Sequence, residues 1–327
     1  MKKVIVTGGC GFIGSHLVDE LLKNKIKVIV LDSLITGRIS NLDIKNKNLK
    51  FIKCDVSKYN LKFEKYFKGV DTVFHLAALA DIVPSINNPK LYFSTNVQGT
   101  LNVLNACEKN LVKKVVYAAS ASCYGLPKKF PTDENSSISL HYPYALTKKM
   151  GEDLLIHWSR VYKINVTSLR LFNVFGTRSR TSGAYGAVFG VFLAQKINNK
   201  PLTIVGNGSQ TRDFIFVTDV AKAFFKAGKL KRSGDIINIG SGIESSVNEI
   251  ANEISSKKIY IPKRPGEPDR SKADIKKAIS ILKWKPRIKI KDGIKIMLSN
   301  LDYWKNAPVW NKKSISIATK VWFELLK

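Results

Sequence analysis

Tyr144 and Lys148 lie four positions apart, in a segment that begins with Pro143. Proline is tolerated in the first turn of a helix, and on a helix this spacing places both side chains on one face. A lysine ammonium beside a phenol favours the phenolate, and it lowers the phenol pKa from about 10 toward neutrality. The pair therefore predicts a general base or acid, Tyr144, that is tuned by Lys148.

A glycine-rich turn, Gly9-x-Gly11-x-x-Gly14, separates an apolar run of β-branched residues from apolar residues at helical spacing. In such a turn the glycines allow a tight bend, close approach of a pyrophosphate to the backbone, and close packing of helix on strand. The N-terminus of the helix then faces the phosphates. Asp32 ends a second apolar run about twenty residues further on, where an acid holds the ribose hydroxyls of NAD and repels the extra phosphate of NADP. The pattern predicts an NAD site.

Apolar runs alternate with helical patterns through about residue 175, which predicts an α/β fold with a doubly wound parallel (Rossmann) sheet. We expect an NAD-binding domain over residues 1–175 and a smaller, interleaved α/β substrate-binding lobe over residues 176–327. Residues 213–220 and 236–240 are expected to return to the sheet. Ligands bind beyond the carboxyl ends of such strands. The rim predicted there comprises residues 8–14, Asp32, Asp55, residues 77–80 and residues 120–124.

The chain of 327 residues carries 54 basic and 25 acidic residues, a net charge of +29. A net charge this positive can indicate a protein that binds nucleic acid or a membrane surface. The basic residues are mostly lysines spread along the whole chain, whereas nucleic-acid binders concentrate arginine and aromatic residues on one element. We interpret the excess positive charge as lysines on solvent-exposed faces, which attract an anionic substrate. We expect neither a nucleic-acid nor a membrane partner.

The four cysteines are scattered without the pairing typical of metal sites, which fits free thiols in a reducing compartment. The apolar run at residues 4–6 is too short for a signal peptide, and we find no apolar run of membrane-spanning length. The sequence therefore predicts a cytoplasmic protein without a metal.

The motifs follow one another in an order that resembles a known family. They are Thr7 to Gly14, Asp32, Asp55-Val56, Ala77-Ala78, Asn96-x-x-Gly99-Thr100, Ser120, Tyr144-x-x-x-Lys148, Leu169 to Gly176, Arg212-Asp213-Phe214, Arg264 to Glu267 and Leu282 to Pro286. In this register the chain is similar to extended short-chain dehydrogenase/reductases, within the NAD-dependent nucleotide-sugar epimerase and dehydratase family. Among its members the chain most resembles the 4-epimerases of UDP-hexoses and UDP-N-acetylhexosamines.

The resemblance implies a role for each matched residue. Tyr144 would be the acid/base, Lys148 would also hold the nicotinamide ribose, and Ser120 would share a hydrogen bond with the sugar hydroxyl. The implied cofactor-binding residues are Gly8, Gly11, Phe12, Ile13, Gly14, Asp32, Asp55, Val56, Ala77, Ala78, Asn96 and Lys148. The implied substrate-binding residues are Ser122, Asn173, Arg212, Arg264, Glu267 and Ser271, with Asn173 and the two arginines on the diphosphate. The family also implies a homodimer through helices near residues 97–107 and 144–162.

The reaction depends on the residues that precede Tyr124-Gly125. The 4,6-dehydratases of the family resemble one another in carrying a carboxylate two residues before this Tyr-Gly, whereas this chain has Ser122. Elimination is therefore disfavoured, and 4-epimerisation through a 4-keto sugar, with tightly bound NAD, is favoured. Two alternatives stay open. One is a dehydratase or decarboxylase that places its acid elsewhere. The other is a non-catalytic NAD- and nucleotide-binding protein, against which the intact Ser120, Tyr144 and Lys148 argue.

One further residue and two segments carry expectations of their own. By resemblance, Ser271 lies beside the C2 substituent of the sugar, where hexose-restricted members have a tyrosine, so N-acetylhexosamines are expected to be accepted. The basic loop at residues 178–186 either meets phosphates or is solvated. Residues 302–323 are expected to form helices docked on the body, without a chemical role.

Overall fold

A computed structural model describes residues 1–179 and 188–326 of the chain. The strands of these residues are β1 (Lys3–Thr7), β2 (Lys27–Asp32), β3 (Leu49–Lys53), β4 (Thr72–His75), β5 (Lys114–Ser120), β6 (Asn165–Leu171), β7 (Asn173–Phe175), β8 (Leu202–Val205), β9 (Thr211–Phe216), β10 (Asp235–Ile239), β11 (Glu244–Ser246) and β12 (Lys258–Ile261).

The helices of the same residues are α1 (Phe12–Lys23), α2 (Leu61–Lys65), α3 (Ile82–Asn87), α4 (Pro89–Tyr92), α5 (Gly99–Lys109), α6 (Pro143–Val161), α7 (Val188–Ile197), α8 (Val217–Lys229), α9 (Val247–Ile254), α10 (Lys276–Leu282), α11 (Ile290–Leu298) and α12 (Lys312–Leu325). A π-helical segment, Phe93–Gln98, leads into α5. Among the described residues, no helix has the length and apolar character needed to cross a bilayer.

The central sheet has the strand order β10-β6-β5-β4-β1-β2-β3, and the neighbouring strands are parallel. The inner strands β1, β4 and β5 are largely apolar and buried because both faces of the sheet are covered, whereas the edge strand β3 alternates lysines with apolar residues and is partly exposed. On β1, Val4 and Val6 pack with residues of α1 and α8, whereas Ile5 packs with residues of α5 and α6 on the opposite face. This arrangement confirms the doubly wound sheet that the alternating pattern predicted.

The second lobe contains two small sheets, β11-β9-β7 and β12-β8, which pack with α7, α9 and α11 around an apolar core. The expectation that residues 213–220 return to the central sheet is wrong. β10 occupies the edge beside β6, so β9 pairs instead with β7, the strand that follows β6 along the chain. Residues 217–220 begin α8. The division into domains at residue 175 stays a prediction.

Candidate active site

A cavity of about 330 Å³ lies at the carboxyl ends of β1, β2 and β4; we call it the glycine-loop cavity. Ten of the predicted cofactor residues line it: Gly8, Gly11, Phe12, Ile13, Gly14, Asp32, Asp55, Val56, Ala77 and Ala78. They come from separate strand ends that the parallel topology brings to one edge, as the rim rule predicts. Their role as cofactor ligands stays a prediction from the sequence.

Two glycines of this loop are required by the backbone around them. Gly8 has φ +69°, and a Cβ there would lie 2.7 Å from the backbone nitrogen of Ala77. A Cβ on Gly14 would overlap the carbonyl oxygen of Gly8. A side chain at Gly8 would therefore push away the segment that follows β4, and one at Gly14 would push the start of α1 away from the end of β1. The resulting bare backbone at a helix N-terminus fits a pyrophosphate.

Asp32 presents its carboxylate to the same cavity. The N–H groups of Cys10 and Leu34 donate to Oδ2 and Oδ1 over 2.9 and 2.8 Å. Burial raises the pKa of Asp32, and these two hydrogen bonds oppose the rise. Each carboxylate oxygen keeps the capacity to accept a further bond. A pair of neighbouring ribose hydroxyls matches that capacity, so the residues present fit the adenosine half of NAD.

Asn96 does not line this cavity, although the resemblance makes it a cofactor residue. Its carboxamide accepts from the N–H of Leu79 (2.8 Å) and donates to the Leu79 carbonyl (3.0 Å) and the Thr147 hydroxyl (3.0 Å). These bonds occupy its polar atoms. Asn96 therefore connects the segment after β4 to α6 without lining the cavity.

Two adjoining cavities, of about 430 and 260 Å³, share Ser120 and Tyr144 in their walls; we call them together the tyrosine cavity. The larger one adjoins the glycine-loop cavity and also contains Lys148. Ser120 ends β5, and Tyr144 lies in the first turn of α6, where its N–H donates to the hydroxyl of Ser85 over 3.1 Å. The structure thus brings the three predicted catalytic residues together.

The structure shows the surroundings that act on Tyr144 and Lys148, and the tuning of Tyr144 by Lys148 stays a prediction. Burial raises the pKa of Tyr144, and the hydrogen bond with Ser120 opposes that rise. Burial lowers the pKa of Lys148 to about 7, against the attraction of Glu152. The Lys148 ammonium lies 4.2 Å from the centre of the Tyr117 ring. Burial thus opposes the phenolate of Tyr144, and Ser120 is a neighbour that favours it.

All six predicted substrate residues line the tyrosine cavity: Ser122, Asn173, Arg212, Arg264, Glu267 and Ser271. Arg212 and Glu267 form an ion pair with an N–O distance of 3.1 Å. The buried Ser122 hydroxyl has no hydrogen-bond partner among the described residues. A buried polar group without a partner is costly in a folded protein, so this hydroxyl is suited to a bound polar ligand.

Sequence reasoning missed residues in both cavities. Arg38 and Tyr303 line the glycine-loop cavity, and the Arg38 guanidinium lies over the Tyr303 ring at 5.1 Å. Tyr142 and Trp322 line the tyrosine cavity, and the expectation that residues 302–323 have no chemical role stays a prediction. Tyr142 adjoins the predicted Tyr144 and could have been found. Tyr303 and Trp322 come from distant sequence with no local motif.

The basic loop at residues 178–186 is described only in part. The Arg178 guanidinium pairs with the Asp19 carboxylate at 2.7 Å, and Ser179 lines the glycine-loop cavity. Residues 180–186 lie outside the described residues, so the question of phosphate contact stays open for them.

The doubly wound sheet, the glycine cradle with its acidic residue, and the adjoining serine, tyrosine and lysine together define an enzyme that works with a nicotinamide dinucleotide. The sequence model described as "NAD dependent epimerase/dehydratase family" matches residues 4–240. The chain belongs to the NAD dependent epimerase/dehydratase family, and its cofactor is NAD.

Individual relatives agree with this assignment. The chain is 42% identical over 299 residues to a putative UDP-glucose 4-epimerase of Methanocaldococcus jannaschii, which covers 89% of this chain and 96% of the relative. It is 32% identical over 311 residues to UDP-glucuronic acid decarboxylase 6 of Arabidopsis thaliana, with 90% and 87% covered.

Two solved structures are similar over almost their whole length. One is UDP-N-acetylglucosamine 4-epimerase of Methanobrevibacter ruminantium in complex with UDP-N-acetylmuramic acid, with TM-score 0.86, 34% identity, and 91% of this chain and 99% of that chain covered. The other is UDP-glucuronic acid 4-epimerase of Bacillus cereus with UDP-glucuronic acid and NAD, with TM-score 0.84, 32% identity, and 93% and 99% covered. These findings confirm the resemblance, the fold class and the cofactor that the sequence predicted.

Proposed function

We propose that this enzyme inverts C4 of a UDP-linked hexose or N-acetylhexosamine. The observation that supports this proposal is which charged residues line the tyrosine cavity. Among the described residues that line it, Glu267 alone carries a carboxylate, and Arg212 is ion-paired to it. The dehydratases that the chain resembles carry an acid two residues before this Tyr-Gly, and here that position is Ser122. The cavity thus holds a proton-transfer residue, Tyr144, but offers no free acid to expel a hydroxyl.

In this proposal Tyr144 removes the proton of the sugar 4-hydroxyl and later returns it. NAD, held by the glycine-loop cavity and Lys148, would supply reversible hydride chemistry at C4, and inversion follows when the 4-keto sugar presents its opposite face. Ser120 hydrogen-bonds Tyr144 and opposes the pKa rise that burial causes. Lys148 holds the nicotinamide ribose from the helix turn after Tyr144. Ser120 therefore tunes the proton transfer, and Lys148 places the nicotinamide beside it.

The diphosphate is assigned to Asn173, Arg212 and Arg264 because planar guanidinium groups match phosphate oxygens in pairs. Arg212 and Arg264 line the tyrosine cavity and are largely buried, so their charge is poorly screened there. The unpartnered Ser122 hydroxyl is assigned to a sugar hydroxyl. Relatives that are named as UDP-sugar epimerases support the uridine nucleotide.

The test is a panel of nucleotide sugars incubated with the purified protein and followed by proton NMR. UDP-glucose, UDP-N-acetylglucosamine, UDP-glucuronic acid and dTDP-glucose form the panel. Inversion at C4, seen as the change in the coupling of H4, is the expected result. A 4-keto-6-deoxy product would contradict the proposal and favour a dehydratase.

A decarboxylase is the second candidate, because relatives at 32% identity carry that name. Release of carbon dioxide from UDP-glucuronic acid would establish it. Binding of NAD and UDP-sugar without turnover of any panel member would instead support a non-catalytic binding protein.

The homodimer also belongs to the proposal. α6 and its following residue expose the apolar side chains Leu146, Val161 and Tyr162. Burial of these side chains against a second copy would stabilise the helix that carries Tyr144. Static light scattering at micromolar concentration should give twice the 36.6 kDa chain mass.

A further inference from the structure

The C-terminal helix α12 lies across the side of the tyrosine cavity. Its buried residues Ile315, Thr319 and Trp322 recur at helical spacing and form one face. Trp322 lines the same cavity as Ser120, Tyr144 and Ser271. The C-terminal helix therefore supplies a wall of the site, which its position far from the glycine loop in the sequence did not indicate.

Trp322 also contacts the loop that carries the predicted diphosphate arginine. Its indole Nε1 donates to the carbonyl oxygen of Pro265 over 2.7 Å. The Arg264 guanidinium lies 5.4 Å from the centre of the Trp322 ring, within the range of a cation–π interaction. The backbone oxygen of Leu326 lies 3.5 Å from the position of a Cβ on Gly266. Three successive loop residues are therefore in contact with, or adjacent to, the end of one helix.

The same helix reaches the other side of the cavity. α12 packs against α3, and Ile82 at the start of α3 lines the cavity. Ser85 of α3 accepts the N–H of Tyr144. α12 thus connects the element that supports Tyr144 to the loop that carries Arg264, across the gap into which the substrate must fit.

We propose that Trp322 is a positioning residue for Arg264, and that α12 is a strap that fixes the diphosphate side of the cavity relative to Tyr144. Trp322 supplies two contacts that help to hold Arg264 in place: the aromatic face beneath the guanidinium, and the hydrogen bond that anchors the backbone of the next residue. A guanidinium fixed in advance loses less conformational entropy when it binds phosphate oxygens. The inference rests on the proposed function for the assignment of Arg264 to the diphosphate.

The kinetic test compares Trp322→Ala with Ile317→Ala, an exposed apolar residue of the same helix. For Trp322→Ala we expect KM for the nucleotide sugar, and Kd for UDP measured by calorimetry, to rise roughly tenfold, with kcat changed much less. Ile317→Ala should leave all three constants unchanged. In an Arg264→Ala background, Trp322→Ala should have little further effect on the Kd for UDP, since the two residues act as one unit. Full additivity of the two substitutions would overturn the positioning role.

A second measurement does not depend on the proposed function. Amide hydrogen exchange followed by mass spectrometry should show faster exchange in the peptide that contains residues 264–267 for Trp322→Ala than for Ile317→Ala. Exchange in the peptides of α6 should be the same in both variants. Unchanged exchange in the arginine loop would reject the strap, whatever the substrate proves to be. If exchange rises but the unsubstituted protein binds no nucleotide diphosphate, the strap stands and the function assigned to Arg264 is wrong.

Discussion

Arg170 of β6 binds the carboxylate of Glu152 of α6 through two nitrogens. Nη2 lies 2.7 Å from Oε1 and Nε lies 3.1 Å from Oε2, and both side chains are buried. Glu152 is one turn beyond Lys148 and two turns beyond Tyr144 on the same helix. The ion pair therefore fixes the rotation of the helix that carries the proposed acid/base relative to the central sheet.

Replacing Glu152 by Ala should lower the free energy of unfolding by about 3–5 kcal/mol, because it leaves the Arg170 charge buried without its partner. Urea unfolding of the variant and the unsubstituted protein measures the change. Asp153→Ala is the matched control on the next residue, whose exposed pair with Lys149 should contribute less than about 1 kcal/mol. Equal effects of the two substitutions would show that the buried pair has no special role.

The central fold could be predicted because its signal is local and repeated. Runs such as Val4–Val6 and the glycine turn that follows them each specify a strand and its connection. The placement of β9 could not be predicted in this way, because the choice between two sheets depends on which strand occupies the edge beside β6. Which strand pairs with the edge of the central sheet depends on the assembled sheet, so it cannot be predicted from any single segment.

Tyr144→Phe should reduce kcat by about 100- to 10,000-fold while the affinity for NAD stays unchanged, since only the hydroxyl that transfers the proton is removed. Steady-state kinetics and calorimetry with NAD provide the two readings. Tyr142→Phe serves as the control, since its ring stacks beside Tyr144 at 6.5 Å with an interplanar angle of 3°. Near-normal turnover by Tyr144→Phe would refute the assignment of the acid/base.

The lowered pKa of Lys148 predicts a pH dependence of stability in the NAD-free protein. Its pKa is about 7 in the folded chain and about 10.4 in an unfolded chain. Between these values the unfolded state binds more protons, so the free energy of unfolding contributed by this group rises with pH, by at most about 1.4 kcal/mol per unit. Below pH 7 the buried charge destabilises the fold by a constant amount.

Unfolding in urea at pH 6.5, 7.5, 8.5 and 9.5 measures this rise, and Lys148→Met should flatten it. Lys114 is a second buried lysine, with a pKa lowered to about 8 by burial, so it adds to the rise. Burial raises the pKa of all four cysteine thiols above its value in an unfolded chain, about 8.5, so they oppose the rise above that pH. The contribution of Lys148 is therefore the difference between the Lys148→Met curve and that of the unsubstituted protein. A Lys148→Met curve that runs parallel to that of the unsubstituted protein would show that Lys148 does not titrate in this window.

Asp32 should make the enzyme prefer NAD to NADP, because its carboxylate repels the 2′-phosphate of NADP. Calorimetric titration with both dinucleotides gives the ratio of dissociation constants. Asp32→Asn should reduce that ratio about tenfold or more. Asp55→Asn, which neutralises another carboxylate of the same cavity, should leave it unchanged. Tighter binding of NADP by the unsubstituted protein would contradict the prediction.

The site was predictable where its residues adjoin strand ends or repeat a short motif, as Asp32 and Tyr144 do. Tyr303 and Trp322 enter the cavities from the C-terminal segment, and only tertiary packing brings them there. The pKa shifts of Tyr144 and Lys148 also could not be predicted from the sequence. The spacing of Tyr144 and Lys148 was read correctly, but the desolvation of both groups depends on the residues packed around them.

Ser271 should decide whether an N-acetyl group fits beside the sugar. It lines the tyrosine cavity, and the backbone on both sides of it is hydrogen-bonded: the N–H of Thr211 donates to the Asp269 carbonyl over 2.9 Å, and the N–H of Thr132 donates to the Lys272 carbonyl over 2.7 Å. Because the backbone is anchored on both sides, the wall is not expected to move aside for a larger residue. Ser271→Tyr should therefore fill the space that an acetamido group needs.

We expect Ser271→Tyr to lower kcat/KM for UDP-N-acetylglucosamine by at least about 100-fold and to change kcat/KM for UDP-glucose by less than about tenfold. Ser271→Ala, which keeps the small volume, should retain both activities and separates the effect of size from that of the hydroxyl. Both substrates are measured by the same NMR assay of C4 inversion. An equal loss on the two substrates would place Ser271 outside the pocket for the C2 substituent, and the preference would then have to arise from another part of the wall.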